Sequence, residues 1–226
     1  MKKQNILLAL LMGLSITFLV LVSILLIKGL NFSSSEKTFK IEQYGLEVQA
    51  VEAYSGDYIE DGEDGAVINV MMATIHNTSS LPIQYCEVVL LDENGKEARF
   101  ALSTLPANET VTVLEQNQRN YDKNTKFVSA SAEYVAYFQT PMSMMEDTFS
   151  ITGQDGVFNV KNISDKDVRG DIYVYYKNYT DNMFRGGITY RAKIENGLKS
   201  GETKQVMTSH FSLDKSMLMF VSINEE

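Results

Sequence analysis

One cysteine, three prolines, two histidines and no tryptophan in 226 residues deny this chain several common kinds of chemistry. The lone thiol, Cys86, closes no intramolecular disulfide, which excludes the inter-sheet bridge of antibody domains and any paired-cysteine metal site. Unpaired cysteine is among the most buried residue types, so Cys86, leading into the apolar stretch 88–91, is expected in the core. His76 and His210 stand without an H-E-x-x-H helix or a G-x-S-x-G elbow and lack the companions that hydrolytic chemistry needs. Both read as polar surface or turn residues. Clusters of positive charge are missing too. With 20 Lys and Arg against 29 Asp and Glu the net charge is -9, which argues against nucleic acid as a partner, because phosphate binding draws its affinity from grouped cations. A hydrophobic content of 44% supplies enough apolar material for one or two packed domains at ~100–200 residues each.

What the chain does have, near its start, is a run of 22 residues, 6–27, without a charge. A helix of that length rises about 33 Å, against roughly 30 Å of bilayer hydrocarbon, so it is long enough to cross. A cleaved secretory signal, the alternative, has an apolar region of only ~7–15 residues and a small-x-small cleavage site. Gly29-Leu30-Asn31 matches such a site poorly, while Ser33-Ser34-Ser35 keeps cleavage open. Lys2 and Lys3 precede the run and favour a cytoplasmic N-terminus, opposed in part by Lys28, Lys37 and Lys40 after it. The expected order is a cytoplasmic stub (1–5), a transmembrane signal-anchor helix (6–27), a polar stalk (28–38) and a working part on the far side of the membrane.

From residue 39 onward the chain reads as strands. Leu46, Val48 and Ala50 alternate with polar neighbours, and denser apolar runs at 67–75, 88–91, 134–138, 157–160, 172–176, 188–194 and 218–223 are bounded by turn signals such as Asn77-Thr78-Ser79-Ser80 and Asp92-Glu93-Asn94-Gly95. Short strands with regular turns predict β-sandwiches. An internal repeat supports this. Asn77-Thr78-Ser79 recurs as Asn162-Ile163-Ser164, an offset of 162 minus 77, or 85; Glu109-Thr110 recurs as Glu202-Thr203 and Phe127-Val128-Ser129 as Phe220-Val221-Ser222, both at 93. The difference implies eight extra residues in the second copy, placed in the polar, Gly-bearing stretch 178–187. The fold expected is all-β, two tandem immunoglobulin-like β-sandwich domains at 39–140 and 143–226, joined at Thr140-Pro141-Met142-Ser143.

This layout resembles tandem extracytoplasmic modules of the FxLYD type, found in bacterial membrane-anchored envelope proteins. The first copy carries the resemblance in Ile75-His76-Asn77-Thr78-Ser79, Val88-Val89-Leu90-Leu91-Asp92, Asn94-Gly95-Lys96 and Pro106-Ala107-Asn108-Glu109-Thr110. In the second it lies in Val160-Lys161-Asn162-Ile163-Ser164, Tyr173-Val174-Tyr175-Tyr176-Lys177 and Ser200-Gly201-Glu202-Thr203. The namesake motif is altered in both copies: Val88 replaces its aromatic residue and Leu91 its tyrosine, and Tyr175 replaces its leucine while the aspartate is missing. The resemblance implies the sandwich fold and a place in the bacterial cell envelope. With no catalytic constellation in the chain, the function expected is that of a non-catalytic, membrane-anchored extracytoplasmic binding or scaffolding protein whose partner is an envelope protein or a cell-wall polymer.

Two segments are candidate sites. Asp57, Glu60, Asp61, Glu63 and Asp64 crowd a Gly-bearing stretch, 57–64, whose oxygens suit Ca²⁺ in number but not in the EF-hand spacing. Asp57, Asp61, Glu63 and Asp64 would be the ligands, and a calcium-dependent sensor or an envelope enzyme is the alternative function. The aromatic surplus of the second copy is the other lead. Tyr176, Tyr179, Phe184, Arg185 and Tyr190 form the expected binding surface, with Phe184 and Arg185 central and exposed, because a loop added to a sandwich needs no role in the core. Alternation sends Tyr173 and Tyr175 to one face of their strand and Tyr176 to the other. Because the apolar run is long, the mature chain is expected to keep its N-terminus. Terminal sequencing of the membrane-extracted protein checks this, and a start near Asn31 or Ser35 would identify a cleaved signal.

Overall fold

Period-two alternation builds almost every element of this chain. Along 71–77, Met71, Ala73 and Ile75 are fully buried while Thr74 and His76 face outward in part, the pattern of a strand with one face on a core. The computed structural model describes residues 38–60 and 63–224, leaving the side chains of 58–60 and 63–64 outside the description. Within these residues lie thirteen strands: β1 (Phe39–Ile41), β2 (Leu46–Glu60), β3 (Glu63–Asn77), β4 (Ile83–Asp92), β5 (Glu97–Leu105), β6 (Thr110–Leu114), β7 (Phe127–Tyr137), β8 (Phe149–Gln154), β9 (Val157–Asn162), β10 (Asp171–Thr180), β11 (Met183–Ile194), β12 (Thr203–Met207) and β13 (Ser216–Asn224). The fold is all-β, as the sequence indicates. No described helix is long and apolar enough to cross a membrane, and the 6–27 run lies outside the described residues.

The strands form sandwich-like layers with the same connectivity in each half. In the first half β2-β3-β6 faces β5-β4-β7, and Met71, Ala73, Ile75, Val111 and Val113 of one layer meet Cys86, Val88, Leu90, Phe100 and Leu102 of the other. In the second half β8-β9-β12 faces β13-β10-β11, with Phe158 and Val160 packed on Ile172, Val174, Tyr176, Tyr190 and Ala192. The halves are not separate, however. A single seven-stranded sheet, β1-β2-β3-β6-β11-β10-β13, runs through both, because edge strand β6 of the first pairs in parallel with β11 of the second.

The two Asn-x-Ser turns show how sequence dictates local geometry here. Asn77 and Asn162 are both fully buried at the end of a strand. Asn77 Nδ2 donates to the carbonyls of Leu81, Leu105 and Pro106, while its Oδ1 accepts from the N–H and hydroxyl of Ser79. Asn162 Nδ2 donates to Lys166 and Leu198, and its Oδ1 accepts from the N–H and hydroxyl of Ser164. The backbone N–H groups of the two asparagines reach Glu109 and Glu202, the Glu-Thr turns that recur with them in the sequence. An amide suits the position because one buried side chain must both donate, to carbonyls, and accept, from an N–H and a hydroxyl. Nearby, Gly197 (φ 64) sits where a Cβ would overlap the Val168 carbonyl oxygen, so only glycine fits beside the Val168–Leu198 bridge.

The first half adds a carboxylate turn. Asp92 Oδ1 accepts from the N–H groups of Asn94 and Lys96, and Oδ2 from Arg119 at 3.1 Å. The Lys96 N–H and the Arg119 guanidinium hold this nearly buried carboxyl below its ordinary range. Its contribution to stability is present above the ordinary carboxylate pKa and is lost as pH falls through the depressed one.

Replacing Asn162 by Ala should remove the buried amide that ties the turn to the Lys166 and Leu198 carbonyls and to the Ser164 N–H, and cost about 2–4 kcal/mol. A urea midpoint lowered with an unchanged slope is the expected reading, and a cost below ~0.5 kcal/mol would show that the turn holds without its side chain.

Candidate functional site

The hairpin of β10 and β11 is an arm that leaves its own half and enters the other. At its tip Asp181 and Asn182 both have positive φ (54 and 59), and Thr180 pairs with Met183 across them, a two-residue type I′ turn whose twist suits a tight hairpin. Lower down, the register shifts between Tyr176/Tyr190 and Asn178/Arg185, so the stretch 186–189 bulges against Lys177. A bulge reverses which side chains face which way. Below it Tyr176 and Tyr190 point into the second core; above it Phe184 joins the first core, against Val111.

Bulging displaces the Gly187 carbonyl, and buried side chains meet it. Lys177 is fully buried, and its Nζ donates to Ser103 O at 2.7 Å in the first half and to Gly187 O at 3.3 Å. Ser103 Oγ also donates to Gly187 O and lies 3.0 Å from Thr189 Oγ1. A buried ammonium is tolerated when carbonyl oxygens replace its water, and here one of those oxygens, Ser103 O, is supplied by the first half.

These positions correct the expected binding surface. The extra residues of the second half form no loop; they lengthen the arm. Phe184 is 1% exposed and belongs to the first core, Tyr176 is 0% exposed with its hydroxyl donating to Ser209 O, and Tyr190 stacks on Tyr176 at 5.5 Å inside the second core. Tyr179, partly buried, packs edge-on against Phe184 at 4.9 Å. The aromatic surplus goes into packing: Tyr176 and Tyr190 fill the second core, while Phe184 and Tyr179 pack on the first. Arg185 lines a cleft. Tyr173 and Tyr175 do take the opposite face from Tyr176, and Tyr175 stacks on Phe220 at 4.1 Å beside Phe138, Arg191 and Thr189 in a second groove of about 510 Å³.

Where the arm crosses the first half it leaves a cleft of about 600 Å³. Tyr54, Asp57, Met72 and Thr112 of the first half form one part of its lining, and Asn178, Thr180, Arg185, Gly186, His210, Phe211, Ser212 and Lys215 of the second form the rest. Arg185 is held in place: Nε donates to Thr180 Oγ1 at 3.0 Å, Nη1 to Thr112 Oγ1 at 3.4 Å, and Nη2 to the exposed Asp181 carboxylate at 3.0 Å. Among the described residues no carboxylate pairs with Lys215. Met72, Phe211 and Tyr54 give the cleft an apolar floor. His210 stands in the lining at positive φ (63), its ring 5.3 Å from Tyr190, whereas His76 is a paired residue of β3 whose Nδ1 lies within hydrogen-bond distance of Glu109 O and Thr110 Oγ1, not the turn residue expected.

The acidic segment falls next to this cleft. Asp57 is exposed and contributes to the lining, and its backbone carbonyl accepts from Tyr54 Oη. Asp61 and the side chains of Glu63 and Asp64 lie outside the described residues, among which no three His, Cys, Asp or Glu side chains gather as a metal site. Cys86 is in the core as expected; burial pushes its thiol up to about 12, which leaves it protonated and a poor nucleophile at neutral pH. Sequence reasoning missed Lys177, Thr112, Phe211 and Lys215. The Asp181-Asn182 pair, a type I′ signal between apolar strands, could have revealed the arm.

In comparisons with known proteins, the chain matches no family model, no curated protein and no solved structure. Phe184→Ala should empty a site shared by both halves and cost about 3–5 kcal/mol, against no more than ~0.5 kcal/mol for Met207→Ala on the exposed face of β12. Chemical denaturation of both variants checks this, and equal midpoints would mean that the arm is not held by its apolar face.

Proposed function

We propose that this chain is a non-catalytic binding protein of the bacterial cell envelope, anchored in the membrane by residues 6–27 and holding its ligand outside in the cleft between its two halves. The observation that carries the reading is the cleft itself: it combines side chains of both halves, and the arm that creates it is built into the shared sheet. The halves are taken as tandem immunoglobulin-like modules of the FxLYD kind, on the strength of their common strand connectivity and their paired Asn-x-Ser turns. A cleft held open by packed strands needs little reordering on binding, which favours recognition. Its lining is mixed, with an apolar floor and a few convergent polar groups, as small-ligand sites usually are.

The full-length protein in a non-ionic detergent should capture an envelope component, and Lys215→Trp, which sets a ring in the cleft from an exposed position, should abolish capture without lowering the melting temperature. Unchanged capture would place the binding surface elsewhere.

A further inference from the structure

The lining of the cleft is polarised in a way that selects among ligands. A chain of net charge -9 here directs two cations, Arg185 and Lys215, into one concavity. Arg185 offers five N–H donors; three are engaged by Thr180, Thr112 and Asp181, which fix the plane of the guanidinium and leave the others for a ligand oxygen. A guanidinium so oriented matches the two oxygens of a carboxylate. Lys215, exposed, adds a second positive charge from the adjacent loop.

Around the cations the groups are those that recognise a peptide. Asn178, Thr180 and Ser212 can bond backbone amides, while Met72, Phe211 and Tyr54 offer apolar surface to a side chain. Asp57 lines the same cleft and begins a segment that continues through Glu60, Asp61, Glu63 and Asp64 in the sequence. A polymer with an anion on every unit would meet this carboxylate and the net negative charge of the chain, so repeated anionic charge is disfavoured. A single carboxylate is not. The volume, about 600 Å³, lies inside the usual range of roughly 300–1,000 Å³ for small-ligand sites and suits a few residues.

We infer that the cleft binds the free C-terminus of a peptide, its terminal carboxylate on Arg185 and Lys215 and an apolar last side chain against Phe211 and Met72. This inference rests on the reading of the cleft as the ligand site. It assigns the capture of a terminal carboxylate to side chains, where other peptide-binding folds use backbone amides.

The test uses full-length protein in a non-ionic detergent and ligand-observed NMR with tripeptides Gly-Gly-X, where X is Ala, Leu, Met or Phe, each as free acid and as C-terminal amide. At least one acid should bind, its amide about tenfold more weakly, since a bond to a charged group carries the contact. Lys215→Met should weaken the acid by about tenfold and leave the amide unchanged. Equal binding of acid and amide, both lost in Lys215→Trp, would overturn the carboxylate assignment while keeping the cleft as a binding site. No binding of any acid, or tighter binding of inorganic polyphosphate than of every peptide, would overturn the peptide assignment. Binding that persists in Lys215→Trp would remove the cleft itself.

Discussion

Everything distinctive about this molecule depends on one strand pairing, the parallel contact of β11 with β6, where Phe184 stands beside Val111 and Arg185 beside Thr112. A sheet edge presents unpaired N–H and C=O groups, and natural folds cover it, shorten it or guard it with charge. Here the edge of the first half is covered by an arm of the second. The pairing is short, so it is reinforced from both faces. Phe184 fills the first core on one side, and Arg185 bonds to Thr112 on the other. Lys177 completes the joint by joining the displaced Gly187 carbonyl to Ser103.

This joint both holds the halves together and shapes the cleft. If the halves parted, Phe184 would be exposed and the Lys177 ammonium would lose the Ser103 carbonyl, so separation is opposed by apolar transfer and by the loss of a charge-assisted hydrogen bond. The same geometry produces the cleft, whose cationic side chains come from the second half and whose apolar floor is shared. A ligand in such a cleft would add to the free energy holding the halves together, because it binds only the joined state.

Sequence reasoning located Arg185 and Asp57 separately and assigned them to different chemistries. The fold places them in one lining. It also turned the inserted segment from an exposed loop into a structural arm. The error had a physical origin: an aromatic residue in a polar, glycine-bearing stretch was assumed to have no core to enter, but the core it enters belongs to the other half.

By itself the sequence determined the all-β class, most of the long strands, the Asn-x-Ser turns and the likeness of the two halves, because alternation and turn chemistry are local properties that the backbone expresses wherever the segment sits. Asn77 and Asn162, 85 residues apart, take the same bonds, and Tyr173 and Tyr176 take opposite faces, as period and spacing require. Only the tertiary structure decided where the arm goes. The bulge at 186–189 breaks the period, so parity no longer tells which face Phe184 occupies. The partner of an edge strand lies far away in sequence, 73 residues for Phe184 and Val111 (184 minus 111), and no local pattern records it. The cleft followed from that choice, since its lining is drawn from segments that meet only once the sheet has closed across both halves.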